Sequence, residues 1–248
     1  MDDFRIRQYA DNEPSANVGD ESQLLRSLTL KIYLEGAFNG TDMDTHLTDL
    51  TFLPSTQPYY TEPWDYTGTE MLPDPPSPYV VDWVLVELRD ASDAASAITG
   101  TRVARQAAVL LSDGMIVGMD GISTIQFNIP IIQQAFVVIW HRNHLGIMSA
   151  SALTIDDGGF CTYDFTTAVS QAYGNGQKEI DNSIFGLIGG DINADGIINE
   201  LDASQSWSQQ AGLSGYLNGD IDLDGQVNNP DKNDWWVENL YLESQIPD

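Results

Sequence analysis

Alternation of apolar and polar residues predicts that the first two thirds of the chain consist of short β-strands. Leu28, Leu30, Ile32 and Leu34 alternate with polar residues, and residues 80–89 are apolar almost throughout, as in a buried central strand. Further strands are predicted at residues 101–111, 115–119, 125–129, 135–140 and 145–150, and residues 162–173 fit a short helix or a last strand. Seven to nine short strands separated by turns such as Asp113-Gly114 and Asp120-Gly121 are typical of an antiparallel β-sandwich.

A second pattern, twelve residues long, occurs twice towards the end of the chain. The first copy is residues 191–202 (DINADGIINELD), the second is residues 220–231 (DIDLDGQVNNPD), and each copy follows a glycine. Side chains that carry oxygen stand at positions 1, 3, 5, 9 and 12 of both copies. Position 6 is glycine and position 8 is isoleucine or valine.

This spacing suits a calcium ion, which takes about six to eight oxygen ligands and can be wrapped by a twelve-residue loop. Glycine at position 6 permits the sharp turn, and position 7 supplies its backbone carbonyl. We therefore predict two Ca²⁺ sites. Their ligands are predicted to be Asp191, Asn193, Asp195, Ile197 (carbonyl), Asn199 and Asp202 in the first loop, and Asp220, Asp222, Asp224, Gln226 (carbonyl), Asn228 and Asp231 in the second.

The closing residue and the flanking segments distinguish these loops from an ordinary EF-hand. Position 12 is aspartate in both copies, where an EF-hand has a bidentate glutamate. Helix-like segments are predicted after the loops, at residues 200–210 and 231–244, with Trp207 and Trp236 at equivalent offsets. In these features the last quarter of the chain resembles the dockerin family, whose duplicated loop-helix units carry the same motif.

The resemblance implies calcium binding by the two loops and a small α-helical module at residues 186–248. It does not extend to binding of a cohesin partner. Cellulosomal dockerins tend to have small hydroxyl residues just before position 12, whereas this chain has Glu200-Leu201 and Asn229-Pro230 there. A hydrophobic residue at position 8, Ile198 or Val227, is expected to point inward and to pair with its counterpart in the other loop.

The preceding region resembles a β-domain found before dockerin-like repeats near the C-termini of large secreted surface proteins of Bacteroidota type. The similar segments are residues 81–91 (VDWVLVELRDA), 141–147 (HRNHLGI) and 163–168 (YDFTTA). The resemblance covers most of residues 28–247. It implies an extracellular, cell-surface location and assigns no biochemical activity.

Composition narrows the choice of partners. The 248 residues include 10 basic and 37 acidic side chains, a formal net charge of −27. Such a field repels nucleic acid and anionic membranes, so we expect neither a nucleic-acid partner nor membrane insertion. The single cysteine, Cys161, excludes an intramolecular disulfide, and calcium loops of this kind are most useful outside the cell, where calcium is abundant.

Candidate catalytic chemistry is sparse. His141 and His144 fit either a transition-metal pair or histidines that fix a loop through hydrogen bonds, and we favour the second interpretation. Cys161 fits a nucleophile or a buried apolar residue, and we favour the second. Asp82 and Glu87 in the central strand would be candidate catalytic carboxylates if they lined a cleft. We predict no catalytic residues and no enzyme.

The aromatic residues between Tyr59 and Tyr66 leave two interpretations open. Tyr59, Tyr60, Trp64 and Tyr66 could stack on sugar rings, as in carbohydrate-binding sandwiches, or could cover one end of the sandwich. The first interpretation makes the chain a carbohydrate-binding module attached to a secreted glycoside hydrolase, with a glycan as partner. The second, which we favour, makes it a structural one.

The sequence thus predicts a mainly β protein in three parts. Residues 1–24 form an N-terminal strand and tether, residues 25–180 an antiparallel β-sandwich, and residues 186–248 a dockerin-like calcium module. The predicted function is that of a non-catalytic, calcium-binding structural or adhesive unit of a surface protein or filament. Because the sandwich can bury its own core, we expect removal of calcium to unfold the C-terminal module alone.

The N-terminal segment generates a prediction about assembly. Phe4 and Ile6 lie on one side of a predicted strand with Arg5 and Arg7 on the other, and residues 10–23 form a polar tether. Strand addition to a neighbouring acidic molecule would build a filament, with neighbouring copies or domains as partners. We expect light scattering to show that the full-length protein in millimolar calcium forms particles larger than a monomer. Deletion of residues 1–10 should reduce the particle size to that of a monomer.

Two alternatives for this segment stay open, an edge strand within the same chain and a frayed terminus. A full-length protein that is already monomeric, and that deletion leaves unchanged, would contradict assembly through this strand.

Overall fold

The computed structural model describes residues 23–248, so the predicted N-terminal strand and most of its tether lie outside the described residues. Eight strands belong to one large sheet: β1 Gln23–Lys31, β2 Val80–Ala91, β3 Arg102–Leu111, β4 Met115–Val117, β5 Ile125–Ile131, β6 Gln134–Trp140, β7 Ile147–Met148 and β8 Phe160–Asp164. Their order is β5–β1–β4–β3–β2–β6–β7, and β8 pairs with β1. Two further strands, β9 (Lys178–Asp181) and β10 (Ile184–Gly186), pair with each other.

The predicted central strand is β2, which lies between β3 and β6. Its alternating side chains enter two different cores because both faces are covered. Val84, Val86 and Leu88 join the largest apolar core, which is shared by β1, β5, β8, β2, β3 and β6. Trp83 and Leu85 on the opposite face join a second core, closed by Tyr59 and Leu72 from the long loop before β2.

The mainly β, sandwich-like class is therefore confirmed, but one pairing differs from the predicted antiparallel pattern. β1 and β8 run parallel, with Leu28 opposite Cys161 and Leu30 opposite Tyr163. Since β1 also pairs with β4 and β5, its backbone groups are hydrogen-bonded on both sides, and it is an interior strand.

The two predicted turns have different roles. Asp113-Gly114 reverses the chain between β3 and β4 as expected, and Gly114 adopts a φ of +88° that a side chain would disfavour. Asp120-Gly121 does not reverse it. β4 and β5 both run antiparallel to β1, so residues 118–124 form an outward loop between two pieces of strand that follow the same direction.

Helical structure is short and is divided between the sheet region and the segments that follow the two repeated loops. A four-residue helix, α1, spans His46–Asp49, and single 3₁₀ turns span Ala94–Ser96, Thr99–Thr101, Val169–Gln171 and Tyr173–Asn175. Asp202–Trp207 form a π-helical turn that continues into α2, Ser208–Gln210, which agrees with the predicted helix-like segment. No helix among residues 23–248 is long and apolar enough to cross a membrane.

The second predicted helical segment, expected to reach Ser244, is shorter. It consists of a π-helical turn at Asp231–Trp236. Beyond this turn, the backbone of Ile198 in the first loop accepts a hydrogen bond from Tyr241 and donates one to Leu242 (2.8 and 2.9 Å). The last residues are therefore extended because they pair with a loop that is distant in sequence.

Candidate metal centre

The two repeated loops share one backbone conformation. The glycines at position 6, Gly196 and Gly225, have φ values of +85° and +87°. The residues at position 4, Ala194 and Leu223, have φ values of +58° and +60°. Left-handed conformations at two matched positions explain why position 6 is glycine in both copies, since a Cβ there would be strained.

The aspartate at position 12 closes each loop through its carboxylate. In both loops one carboxylate oxygen accepts from the backbone N–H groups of positions 2 and 3, and the other oxygen accepts from position 9. The distances are 2.7, 3.1 and 2.8 Å for Asp202, and 2.6, 3.3 and 2.8 Å for Asp231. The bond to position 9 also caps the helical turn that follows, as in a capping box.

The aspartate at position 1 leaves one oxygen without a partner. Oδ2 of Asp191 accepts from the N–H of Gly196, and Oδ2 of Asp220 accepts from the N–H of Gly225, both at 3.1 Å. Oδ1 of each residue is buried and has no hydrogen-bond donor among the described residues. A buried carboxylate oxygen without a partner is unfavourable, and a bound cation would relieve that cost.

The pKa values of the aspartates at position 1 also favour a bound cation. Burial, and then the charges of Asp202 and Asp195, raise the pKa of Asp191 to about 7. Burial, opposed by Arg142 and reinforced by the carboxylates of the second loop, raises the pKa of Asp220 to about 8. Each loop thus holds carboxylates closer together than their charges favour, and a divalent cation would compensate this repulsion.

The second loop has the more concentrated set of oxygens. Asp220, Asp222 and Asp224 each place one carboxylate oxygen within 4.8 Å of the others. At position 9, Oδ1 of Asn199 accepts from the N–H of Leu201 at 2.7 Å. The matching donor is missing in the second loop because Pro230 has no N–H, and Oδ1 of Asn228 is buried without a partner.

All twelve predicted ligand residues lie in two loops with matched backbones, and two further contacts involve these loops. Asn199 donates to the carbonyl of Ile197 at 3.2 Å, so these predicted ligands contact each other. The position 8 residues do not pair with each other through their backbones. Ile198 pairs with residues 241 and 242, and Val227 with residues 212 and 213, because each loop packs against a different neighbouring segment.

The segment His141–His144, which lies between β6 and β7, connects the large sheet to these loops. Arg142 Nε donates to Asp82 Oδ2 at 2.9 Å, and His141 Nε2 lies 3.2 Å from the same oxygen. Tyr216 Oη donates to Asp82 Oδ1 at 2.7 Å, and the guanidinium of Arg142 stacks on the Tyr216 ring. Burial alone would raise the pKa of Asp82, but Arg142 and His141 hold it below its usual range.

Asn143 forms hydrogen bonds with the residues at the start of both loops. Its side-chain amide donates to the backbone carbonyls of Asn218 and Asp220 at 3.0 and 2.6 Å. Its own carbonyl accepts from the N–H of Gly190 at 2.9 Å, immediately before the first loop. The neighbouring His144 is buried, with Nδ1 2.8 Å from Asn143 Oδ1 and Nε2 accepting from Gly36. The histidine pair thus fixes a loop, the interpretation that the sequence favoured.

A second buried polar cluster joins the sheet region to the C-terminal segment. The carboxylate of Glu35 accepts from Asn239 Nδ2 at 2.7 Å and from the N–H of Gly189 at 3.0 Å. Lys178 forms an ion pair with Glu35 and donates to Asn239 Oδ1 at 2.8 Å. Sequence reasoning missed Glu35, Asn239 and Tyr216. Only the polar character of Glu35 within an apolar strand pattern hinted at such a role.

The other candidate residues have structural partners. Tyr59 is fully buried and donates to the carbonyl of Trp83, whereas Tyr60 is exposed. Cys161 is buried in the main core, and burial raises the pKa of its thiol to about 11, which keeps it protonated. Tyr59 therefore packs against β2, as in the interpretation that we favoured, and Trp64 and Tyr66 are partly buried against the same core.

Comparison with family models, with curated proteins and with solved structures gave no match for this chain.

The difference between the loops generates a prediction about affinity. The second loop has four ligand carboxylates against three in the first, and a free Asn228 oxygen. In calorimetry we expect Asp220→Ala to weaken the tighter of two calcium-binding events, and Asp191→Ala to weaken the other one. Each substitution should lower the calcium affinity of its site by roughly tenfold or more. Asp234→Ala, which removes an exposed carboxylate outside the loops, is the control. Equal or reversed losses would contradict this ranking.

The buried histidines generate a prediction about pH. Burial lowers the pKa of His141 and of His144, so both are neutral in the folded protein. As pH falls below about 6.5, the unfolded chain takes up these protons first, and stability falls by about 1.4 kcal/mol per histidine for each pH unit. Asp82, Arg142 and the loop carboxylates share this region, so the histidine contribution is isolated by comparing variants.

We expect urea unfolding in saturating calcium to show a weaker loss of stability below pH 6.5 in His144→Gln than in the unsubstituted protein. The exposed His46 provides the control, and His46→Gln should keep the original pH dependence. A His144→Gln profile parallel to that of the unsubstituted protein would show that His144 is not the group responsible.

Proposed function

We propose that this chain is a non-catalytic, calcium-binding structural unit of an extracellular protein, in which two Ca²⁺ ions hold the C-terminal loops against a β-sandwich. The observation that carries the proposal is the unpartnered Oδ1 of Asp191 and of Asp220, at position 1 of two loops with matched backbones. Asp191 and Asp220 belong to two sets of six residues whose oxygen atoms stand at the spacing of a calcium loop.

The chemistry of the donors favours calcium over transition metals. The loops offer carboxylate, amide and carbonyl oxygens, which are hard ligands, and no histidine or cysteine. Ca²⁺ would supply positive charge that offsets carboxylate repulsion, including that of Asp202 and Asp231, which also close the loops through backbone hydrogen bonds. This arrangement contributes stability, because metal binding to a folded site is coupled to folding.

An extracellular, cell-surface location and a dockerin-like relationship belong to the same proposal. They are supported by the duplicated loops, since calcium loops of this kind are most useful where calcium is abundant, outside the cell. The partners would be neighbouring domains of a larger protein, or identical subunits joined by the N-terminal strand. A role as a carbohydrate-binding module of a glycoside hydrolase is the alternative.

The buried contacts between the sheet and the loops change the expected effect of calcium removal. The sequence suggested that the sandwich would be unaffected, but Asp82, Arg142 and Asn143 tie its central strand to the second loop. Gly36 lies so close to the second loop that a methyl group there would be 2.1 Å from the carbonyl oxygen of Ile221. Shared burial of this kind favours cooperative unfolding.

We therefore expect calorimetry to show one thermal transition that EDTA shifts as a unit. Two sites held at about a hundredfold above their dissociation constants would together contribute roughly 5 kcal/mol, a shift on the order of 10–20 °C. Isothermal titration of the metal-free protein should give two calcium ions per chain. Magnesium at equal concentration is the control and should protect less. A transition insensitive to both EDTA and calcium would refute the proposal.

A further inference from the structure

A cleft of about 440 Å³ lies on the face of β2 and β3 that packs against Tyr59. It lies at the end of that face where the side chains are charged rather than apolar. Along β2 this face carries Trp83 and Leu85 and then Glu87 and Arg89. On β3, Arg105 lies opposite Glu87, and Arg102 lies opposite Arg89. These four charged residues form the floor of the cleft.

A β-bulge places Arg102 on this floor. The register of β2 and β3 pairs Leu88 with Ala104 and then Arg89 with Arg102, so Val103 has no opposite residue and is exposed. Because side chains alternate along a strand, Arg102 would otherwise lie on the opposite face. Bulges commonly redirect a side chain next to a binding site.

The floor is positive in a strongly negative protein. Three of the ten basic residues of the chain lie on this floor with one acid, Glu87, so the floor itself has a net charge of +2, whereas the walls of the cleft carry three acids, Asp195, Glu243 and Asp248. Arg89 is buried and engaged by Glu87 and by the carbonyls of Ala97 and Pro247, at 2.7–2.8 Å. Arg102 is 39 % exposed, and its ion pair with Glu87 is long, at 3.6 Å. It therefore keeps donors free.

Arg105 is held in place beside Arg102. Its guanidinium donates to the carbonyl of Trp64 and lies over the ring of Tyr66. Burial, and then the neighbouring charge of Arg102, lower the pKa of Arg105. Two guanidinium groups kept close together in a partly enclosed space favour an anion between them, because an anion relieves their repulsion and accepts their hydrogen bonds.

The walls offer a different chemistry. Trp64 and Trp140 are half-buried and line the cleft with indole surface. Thr99 and Ser244 line it as well and carry hydroxyl groups, and residues 194–197 of the first loop form a further wall. Aromatic surface combined with hydroxyl groups suits a ring that is apolar on its face and polar at its edge.

We propose that this cleft binds a short saccharide that carries a single carboxylate, with the carboxylate at Arg102 and Arg105 and a sugar ring against the indoles. Arginine pairs with carboxylates through two parallel hydrogen bonds, which gives both affinity and orientation. The cavity volume falls within the range of about 300–1,000 Å³ typical of small-molecule sites. This proposal goes beyond the calcium-dependent function, and the first of the two repeated loops contributes residues 194–197 to a wall of the cleft.

A small ligand is favoured over a polyanion by the charge of the whole chain. The net charge of −27 repels a long acidic polymer over much of the surface. A ligand with one charge, bound at Arg102 and Arg105, is little affected by charges outside the cleft, since screening limits their range to about 8 Å at physiological salt. The acids on the cleft walls, Asp195, Glu243 and Asp248, oppose any further negative charge on the ligand.

The test is to titrate the full chain with saccharides in millimolar calcium and to measure binding by tryptophan fluorescence and by calorimetry. The probes are a disaccharide with one glucuronic acid residue and the neutral disaccharide with glucose in its place. We expect saturable binding of the acidic disaccharide and binding of the neutral one weaker by about tenfold or more, as for loss of a charge-assisted hydrogen bond. Arg102→Gln should weaken binding of the acidic disaccharide by a similar factor.

Arg26→Gln is the matched control, because Arg26 is exposed on β1 and does not line the cleft. It removes the same charge and should leave the affinity unchanged. Arg102→Lys, which keeps the charge and loses the paired hydrogen bonds, should give an intermediate affinity. Circular dichroism and unchanged calcium binding would show that the variants are folded.

Absence of saturable binding by the unsubstituted protein would overturn the proposal. So would equal affinity for the two disaccharides, or equal affinity of Arg102→Gln and Arg26→Gln for the acidic one. Calcium stoichiometry is measured on the same samples, so failure of the cleft proposal is distinguished from failure of the calcium proposal.

Discussion

The ion pair between Asp82 and Arg142 is the interaction on which the arrangement of this protein depends. Both side chains are almost completely buried, and they meet where the central strand faces the segment that follows β6. Removal of one partner from a buried pair typically costs about 3–5 kcal/mol, because the other charge stays buried without compensation. His141 and Tyr216 share the carboxylate of Asp82, so this acid connects its own strand to two other parts of the chain that are distant in sequence.

This pair also determines where the repeated loops lie. Arg142 is followed by Asn143, whose side chain holds the start of the second loop and whose carbonyl holds the residue before the first. The loops themselves contain carboxylates in mutual repulsion, two of them with raised pKa values at position 1. Attraction at the interface and repulsion within the loops therefore oppose each other. A bound cation would shift that balance towards the docked arrangement.

The face of β2 and β3 opposite the main core has two uses along its length. At the end near Trp83 it is apolar and covered by Tyr59 and the loop that precedes β2. At the other end a bulge turns Arg102 onto the same face, and Glu87, Arg89 and Arg105 complete a charged floor. Packing thus stabilises one half of the face, and the other half stays open as a polar cleft beside the first loop.

The sequence alone determined the features that depend on short-range periodicity. The strand alternation at β1, the apolar run of β2, the turn at Asp113-Gly114 and both twelve-residue loops are local patterns, and the structure contains each of them. The glycine at position 6 is required by its own positive φ value, so its role can be inferred from the sequence without knowledge of any tertiary contact.

Tertiary structure decided whatever depends on residues far apart in the chain. The parallel pairing of β1 with β8, the outward loop at residues 118–124 and the extended end after Trp236 follow from which backbone groups meet, and a periodic pattern does not encode that choice. The same holds for Asp82, Glu35 and Arg102. Each is a charged residue whose role is set by the partner that the fold brings within hydrogen-bond distance, and no local spacing identifies that partner.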